Sequence, residues 1–242
     1  MGKVVDGVGG VRADSLLLSV AEHLKVPLTT IARQAELGQL TGQAELIDAA
    51  AIRTQAVAAL TLVDSYLLGL ELMSKQASLE LEPVSVSSTL VDAAHDLEQF
   101  ARQYRVELEV SIGGKFGPVM CHPNGLRAAL LSLGFALVEA QASQDMQGPR
   151  RVVLATHRTP LGIVAGVYGR YEALNSERWR AALGLVGTAR QPLTNLMPGS
   201  GAGLFVADTI MRSMNAQLRV GRYQQQRGLA TTLKPSSQLQ FV

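Results

Sequence analysis

The residues able to do chemistry are few and unevenly placed in this 242-residue chain. It has four histidines and one cysteine. His23 follows Glu22 inside a run of apolar residues at helical spacing. His95, His122 and His157 are scattered, without the His/carboxylate spacing of a metal site, so no metal is expected. Cys121 is the single cysteine, which excludes an internal disulfide framework and a cysteine-based zinc site, and suits a reducing compartment. Ser19, Ser132 and Ser200 have no partnered base in view, so a hydrolase triad is unsupported. The remaining feature is Gly199-Ser200-Gly201-Ala202-Gly203-Leu204, a glycine cluster opening a helix. Backbone amides in such a loop can cradle a phosphate. Equally, the glycines can serve a tight turn by sterics alone. It is neither the dinucleotide pattern, since Leu204 replaces the last glycine, nor a P-loop, since no lysine follows.

Composition bounds the rest. Hydrophobic residues are 47% and charged residues 17%, enough for a substantial core and the opposite of a disordered chain. A formal charge of +2 and 5% aromatics give neither an electrostatic footprint nor stacking platforms for nucleic acid. The longest apolar run, Ala128–Val138, is interrupted by Ser132 and falls short of the roughly 20 residues of a membrane span. The N-terminus has no apolar signal core. The expectation is a soluble, cytoplasmic protein with no membrane segment.

The elements that would position these residues can be read from hydrophobic spacing. Residues 1–12 are a Gly/Val-rich lead-in. Leu17, Val20, Leu24, Leu28, Ile31 and Ala35 recur at steps of 3 and 4, one helical stripe, with Pro27 inside it as a kink. After Thr41-Gly42, a second helix over 43–75 carries the stripe Ala49, Ile52, Ala56, Ala59, Val63, Leu67 and Leu70. Two long helices and a short turn make an antiparallel hairpin. One hairpin cannot bury both stripes, but two can as a four-helix bundle, so a homodimer through residues 13–77 is expected. Leu79–Pro83 looks like an extended linker. Beyond it lie a helix (88–104), strands (106–112 and 118–121), an apolar helix (124–141) and two further strands (151–156 and 162–168). A long irregular stretch, a helix (204–215) and two closing strands (217–222 and 229–234) complete the chain. The domains are therefore a hairpin over 13–78 and an α+β sandwich over 84–236.

This order resembles the transmitter module of bacterial sensor histidine kinases, in which a dimerising helical hairpin precedes an ATP-binding sandwich. Three stretches carry the likeness. Glu22-His23-Leu24-Lys25-Val26-Pro27-Leu28 is similar to the family's His-Glu-Leu-Arg-Thr-Pro-Leu, with the first two residues swapped. Glu22 stands at the phosphoacceptor position and points outward from the stripe, while His23 lies on its flank, about 100° from the stripe centre. His23 is thus a displaced phosphoacceptor or a half-exposed helical histidine without chemistry; Glu22 is a candidate for a permanent negative charge in place of phosphohistidine. The second stretch, Asn124–Leu137, resembles the family's N-box helix, with Ser132 and Ala136 where two asparagines stand. Alanine has no oxygen to offer magnesium. The third comprises Ile163–Gly169, similar to a strand ending in Asp-x-Gly, and the Gly199–Gly203 box. Val167 replaces the aspartate that accepts a hydrogen bond from adenine, and Gly169 is kept.

The resemblance implies a two-component-type signalling protein, degenerate as a kinase, that acts by dimerising and docking a response-regulator receiver domain. The presumed docking face is Glu22, His23, Lys25 and Val26. No cofactor is expected. Two alternatives stay open. One is a phosphotransferase that passes phosphate between receivers through His23 without ATP, as some degenerate relatives do. The other is a residual autokinase that binds ATP and magnesium through Gly169, Gly199, Gly201 and Gly203. Arg170, Arg178, Arg180 and Arg190 would lie in the lid region, as a solvated surface or as binders of phosphate or an acidic partner. Trp179 there is expected to be a packing anchor.

Overall fold

Helix starts in this protein are set by short polar side chains that satisfy otherwise unpaired amides. The computed structural model describes residues 21, 24, 27–36, 48–74, 80–144, 148–184 and 202–236. Helix α1 covers 27–36, and Ala21 and Leu24 are helical too. Helix α2, Ala49–Ser74, is opened by Asp48, whose Oδ1 accepts the Ala51 N–H at 2.8 Å. Ser85 caps α3, Val86–Gln103, and the His122 ring caps α4, Pro123–Ala142, accepting the Gly125 N–H on Nδ1 at 3.2 Å.

The strands are β1 (Glu82–Val84), β2 (Glu107–Gly113), β3 (Val119–Cys121), β4 (Arg151–Thr159), β5 (Gly162–Gly169), β6 (Arg219–Tyr223) and β7 (Gln226–Leu233). Five form one sheet in the order β2-β4-β5-β7-β6, with β2 parallel to β4 and the other pairs antiparallel. Residues directly opposite share a face, so Leu154, Val167 and Leu229 line up across β4, β5 and β7. All three are fully buried; α3 and α4 pack on these strands, and α6 (Ala202–Ser213) packs on α4. The apolar sequence of α4 is explained by this position at the centre. Two helical spans, Ala49–Leu72 and Pro123–Ala142, are long and apolar enough to cross a membrane, but 89% of the second is buried within the protein.

Two expectations need correcting. The 79–83 linker contains part of a strand: β1 pairs antiparallel with β3, from Glu82↔Cys121 to Val84↔Val119. The irregular stretch after β5 contains α5, Ser176–Gly184, opened by Asn175, whose Oδ1 accepts the Arg178 N–H at 2.8 Å. The structure also shows which face of α2 the single chain buries. Gln55, Ala58, Ala59, Leu62, Ser65, Tyr66 and Leu72 face inward, because α2 packs on α4 and α6. Only Ala59 of the expected stripe is buried; Leu67 is 56% exposed, and Leu60 beside it 63%. The inward face lies about 100° round the helix from the stripe. Two apolar faces share α2, and the sandwich takes one of them.

Cys121 ends β3 with 1% exposure, and burial pushes its thiol up to about 12.

Candidate functional site

Glu22, His23, Lys25 and Val26 lie outside the described residues, as do Gly199, Gly201 and Arg190. Their neighbours on α1 are placed. Ala21 is exposed, Leu24 rests half-buried on the core, and Pro27 is buried. Leu28, on the expected stripe, is 56% exposed within the single chain. Pro27 lines a cavity of about 10 Å³ with Gln55, Phe100, Phe135 and Glu139.

On the sandwich side, Ser132, Ala136, Val167, Gly169 and Gly203, the described positions that the resemblance links to nucleotide, pack against other protein groups. Ser132 and Ala136 on α4 are 1% and 6% exposed, and α6 lies directly over them. A Cβ added at Gly203 would come 2.4 Å from the Ser132 carbonyl oxygen and 3.2 Å from the Ala136 Cβ. Gly203 therefore provides a close approach of two helices. The Ser132 hydroxyl is enclosed there and makes no hydrogen bond among the described residues. Val167 is fully buried between Leu154 and Leu229. At Gly169 an added Cβ would lie 2.8 Å from both Gln141 Oε1 and Tyr171 Cε2. Tyr171 fills the space beyond β5. Its hydroxyl donates to the Leu137 carbonyl at 2.7 Å, and burial holds its phenol well above the usual range. Gln141 Oε1 accepts the Arg170 N–H at 3.0 Å. No acid stands at the Val167 position, and Tyr171 packs against Gly169 two residues further along β5.

The other sequence candidates take structural places. His95 is exposed on α3, His122 is a cap, and His157 stacks on Tyr223 with ring centroids 5.6 Å apart. Among the described residues no group of three or more His, Cys, Asp or Glu could hold a metal ion. Arg170, Arg178 and Arg180 are exposed, and the Arg180 Nε–H donates to the Ser176 carbonyl at 3.2 Å. Trp179 is a packing anchor, 2% exposed, its Nε1–H donating to the Leu218 carbonyl at 3.3 Å.

Sequence reasoning missed a polar group at the joint of α1, α2, α3 and α4. Glu139 is 8% exposed, and burial raises its carboxyl to about 7. Gln55 on α2, 6% exposed, donates through Nε2 to Gln103 Oε1 at 3.1 Å and also hydrogen-bonds the Tyr104 phenol. That phenol is pushed up by burial and then by the Glu139 charge. One signal was available: Glu139 is the single acid in the apolar helix α4.

No family model matches the sequence, and no curated protein is a significant match. Solved structures do match. The Acinetobacter baumannii histidine kinase AdeS superposes with a TM-score of 0.53 at 13% identity, over 88% of this chain and 98% of its own. Full-length ShkA in complex with AMPPNP gives 0.53 at 18% identity over 78% of this chain, which spans 38% of the ShkA chain. A bacterial phosphotransferase gives 0.47 at 11% identity, over 95% of this chain and 98% of its own. The AdeS and ShkA matches establish a likeness of fold: this is a histidine kinase-like arrangement of helices and sheet.

Proposed function

We propose that the chain is a two-component-type signalling protein of the cytoplasm that does not use ATP. It acts as a homodimer whose hairpin docks a response-regulator receiver domain through Glu22, His23, Lys25 and Val26. One observation carries the reading. The positions that should orient adenine, magnesium and phosphate are occupied by Val167 in the core, by α6 seated on Ser132 and Ala136 through Gly203, and by Tyr171 against Gly169. Phosphoryl transfer from ATP also needs cationic neutralisation of the phosphates, and Ala136 offers no oxygen to a cation where the resemblance places the second asparagine.

The test is a calorimetric titration with magnesium-ATP, followed by titration with an unphosphorylated receiver domain. No saturable heat is expected up to millimolar nucleotide, against micromolar binding of the receiver. Saturable ATP binding, with phosphate then found on His23, would restore the autokinase and overturn the proposal.

The second reading makes His23 a phosphate carrier without ATP. It is favoured by the seating of the motif. Pro27, four residues after His23, is buried at the joint beside the Glu139 carboxyl rather than displayed to solvent. In that reaction the receiver's aspartyl phosphate loses its P–O bond as a P–N bond forms on the imidazole, and the aspartate leaves as a carboxylate. His23→Ala separates the two readings. A docking platform keeps receiver affinity within about threefold; a carrier loses all dephosphorylation of the phosphoreceiver.

The dimer is argued from α2 and α1. Val57, Leu60 and Leu67 are 54–63% exposed on one side of α2, and Leu28 on α1 is 56% exposed. A second copy can cover these residues. Leu60→Glu is expected to weaken self-association at least about 100-fold, because a charge would replace a buried leucine in each copy. Sedimentation velocity at micromolar concentration reads this directly, and a monomeric parent would count against the bundle.

A further inference from the structure

A groove of about 400 Å³ lies where α2 meets α3 and α4. Small-molecule sites have volumes of roughly 300–1,000 Å³. The floor is apolar: Leu131 and Phe135 of α4 are 3% and 5% exposed. Polar groups from three helices stand around it. Asp64 and Ser65 come from α2, Asp96 from α3 and Arg127 from α4.

Ser65 is the informative residue. It is 3% exposed, yet its hydroxyl makes no hydrogen bond among the described residues. Thr54 and Thr61 on the same helix donate their hydroxyls to the carbonyls four residues back, at 2.9 Å each. Ser65 lines the groove instead. Enclosing a hydroxyl without a partner is unfavourable, and a polar ligand atom in the groove would satisfy it. The charges decide which kind of ligand. Arg127 is ion-paired with Asp96. Asp64 is exposed and forms no ion pair among the described residues, so it is the uncompensated charge. An ammonium group has three donors and no acceptor, and Asp64 and Ser65 can each accept from it. An anion would face Asp64 and would have to compete with Asp96 for Arg127.

We propose that this groove binds a small organic ammonium, its hydrocarbon body on Leu131 and Phe135 and its charged end at Asp64 and Ser65. A ligand seated there touches α2 and α4 at once, and so fastens the hairpin to the sandwich. The inference goes beyond the docking reading, since it needs neither His23 nor a receiver.

The probe is 2-phenylethylamine, which is protonated at pH 7. The alcohol 2-phenylethanol and the anion 3-phenylpropionate are its neutral and negative counterparts. Amide chemical shifts of the full chain are followed as each is added. The amine should saturate with a Kd of about 1 mM or tighter, moving α2 and α4 amides around the groove. It should bind at least about tenfold more tightly than the carboxylate. Asp64→Asn, a change at an exposed position, should weaken the amine about fivefold and leave the alcohol as it was. Ser65→Ala should weaken both about threefold. No saturation, equal affinity for the carboxylate, or an unaffected Asp64→Asn overturns the proposal. Binding that appears only once Leu60→Glu has separated the dimer also overturns it, and gives the groove to a second copy of the chain.

Discussion

Val167→Asp should cost the folded protein about 4 kcal/mol at pH 7, because it buries an unpaired carboxyl that must take up a proton to fold. Val167 is fully enclosed, with Leu154 and Leu229 beside it in register on the neighbouring strands. Neither neighbour can accept or donate a hydrogen bond. The loss is about a quarter or more of the stability of an ordinary domain, roughly 5–15 kcal/mol. The sign of its pH dependence is fixed. The new carboxyl would be neutral in the folded protein, so its folded value lies above the unfolded one. The penalty should therefore shrink as pH falls from 7 toward about 4. Urea unfolding at pH 7 and pH 5 reads both effects. The same substitution restores the one side chain that the kinase resemblance misses most at this strand. A variant as stable as its parent that also bound nucleotide would mean that a working cleft lies there, and the reading of a filled site would fail.

The second large effect is at Gly203. On an open helix, Gly→Ala stabilises by about 1 kcal/mol. Here the added methyl would stand 2.4 Å from the Ser132 carbonyl oxygen. The obstacle is backbone, so no trimming of side chains on α4 relieves it. Gly203→Ala should reverse the propensity effect and destabilise by about 2 kcal/mol, by forcing α6 away from α4. The measurement is a urea midpoint without nucleotide. An alanine variant at least as stable as the parent would sink the close-packing account and return Gly203 to the phosphate-loop interpretation.

The sandwich was legible because its signals are local. The helices expected at 88–104 and 124–141 begin within two residues of those starts, and short apolar runs mark β4 and β5, whose ends shift by only a few residues. What could not be read depends on which surfaces meet. α2 carries apolar residues on two faces, and its inward face includes Gln55, Ser65 and Gly69, which hydropathy discounts. Only the presence of α4 and α6 selects it. β1 is three residues long and exists by pairing with β3 across a large sequence gap. α5 is short and charged and is held mainly by Trp179 and Ala182, although Asn175 gave a usable start signal. At the site, Val167, Ser132 and Ala136 were visible as departures from a kinase. That Tyr171 packs against Gly169 and α6 against Ser132 was not, because such contacts are made only in three dimensions. Glu139 escaped because a single acid in an apolar helix gives no periodic signal.

The burial of Cys121 has a practical consequence. With the one native thiol enclosed at the end of β3 and held far from thiolate at neutral pH, maleimide chemistry should pass it by. The native sequence is therefore close to a silent background for spin or fluorophore attachment. A cysteine placed on the exposed side of α2 and another on the sandwich would form a labelled pair without first removing the natural one. Interlabel distances from that pair would follow the two halves of the chain directly, in a protein whose packing at β3 had been left untouched.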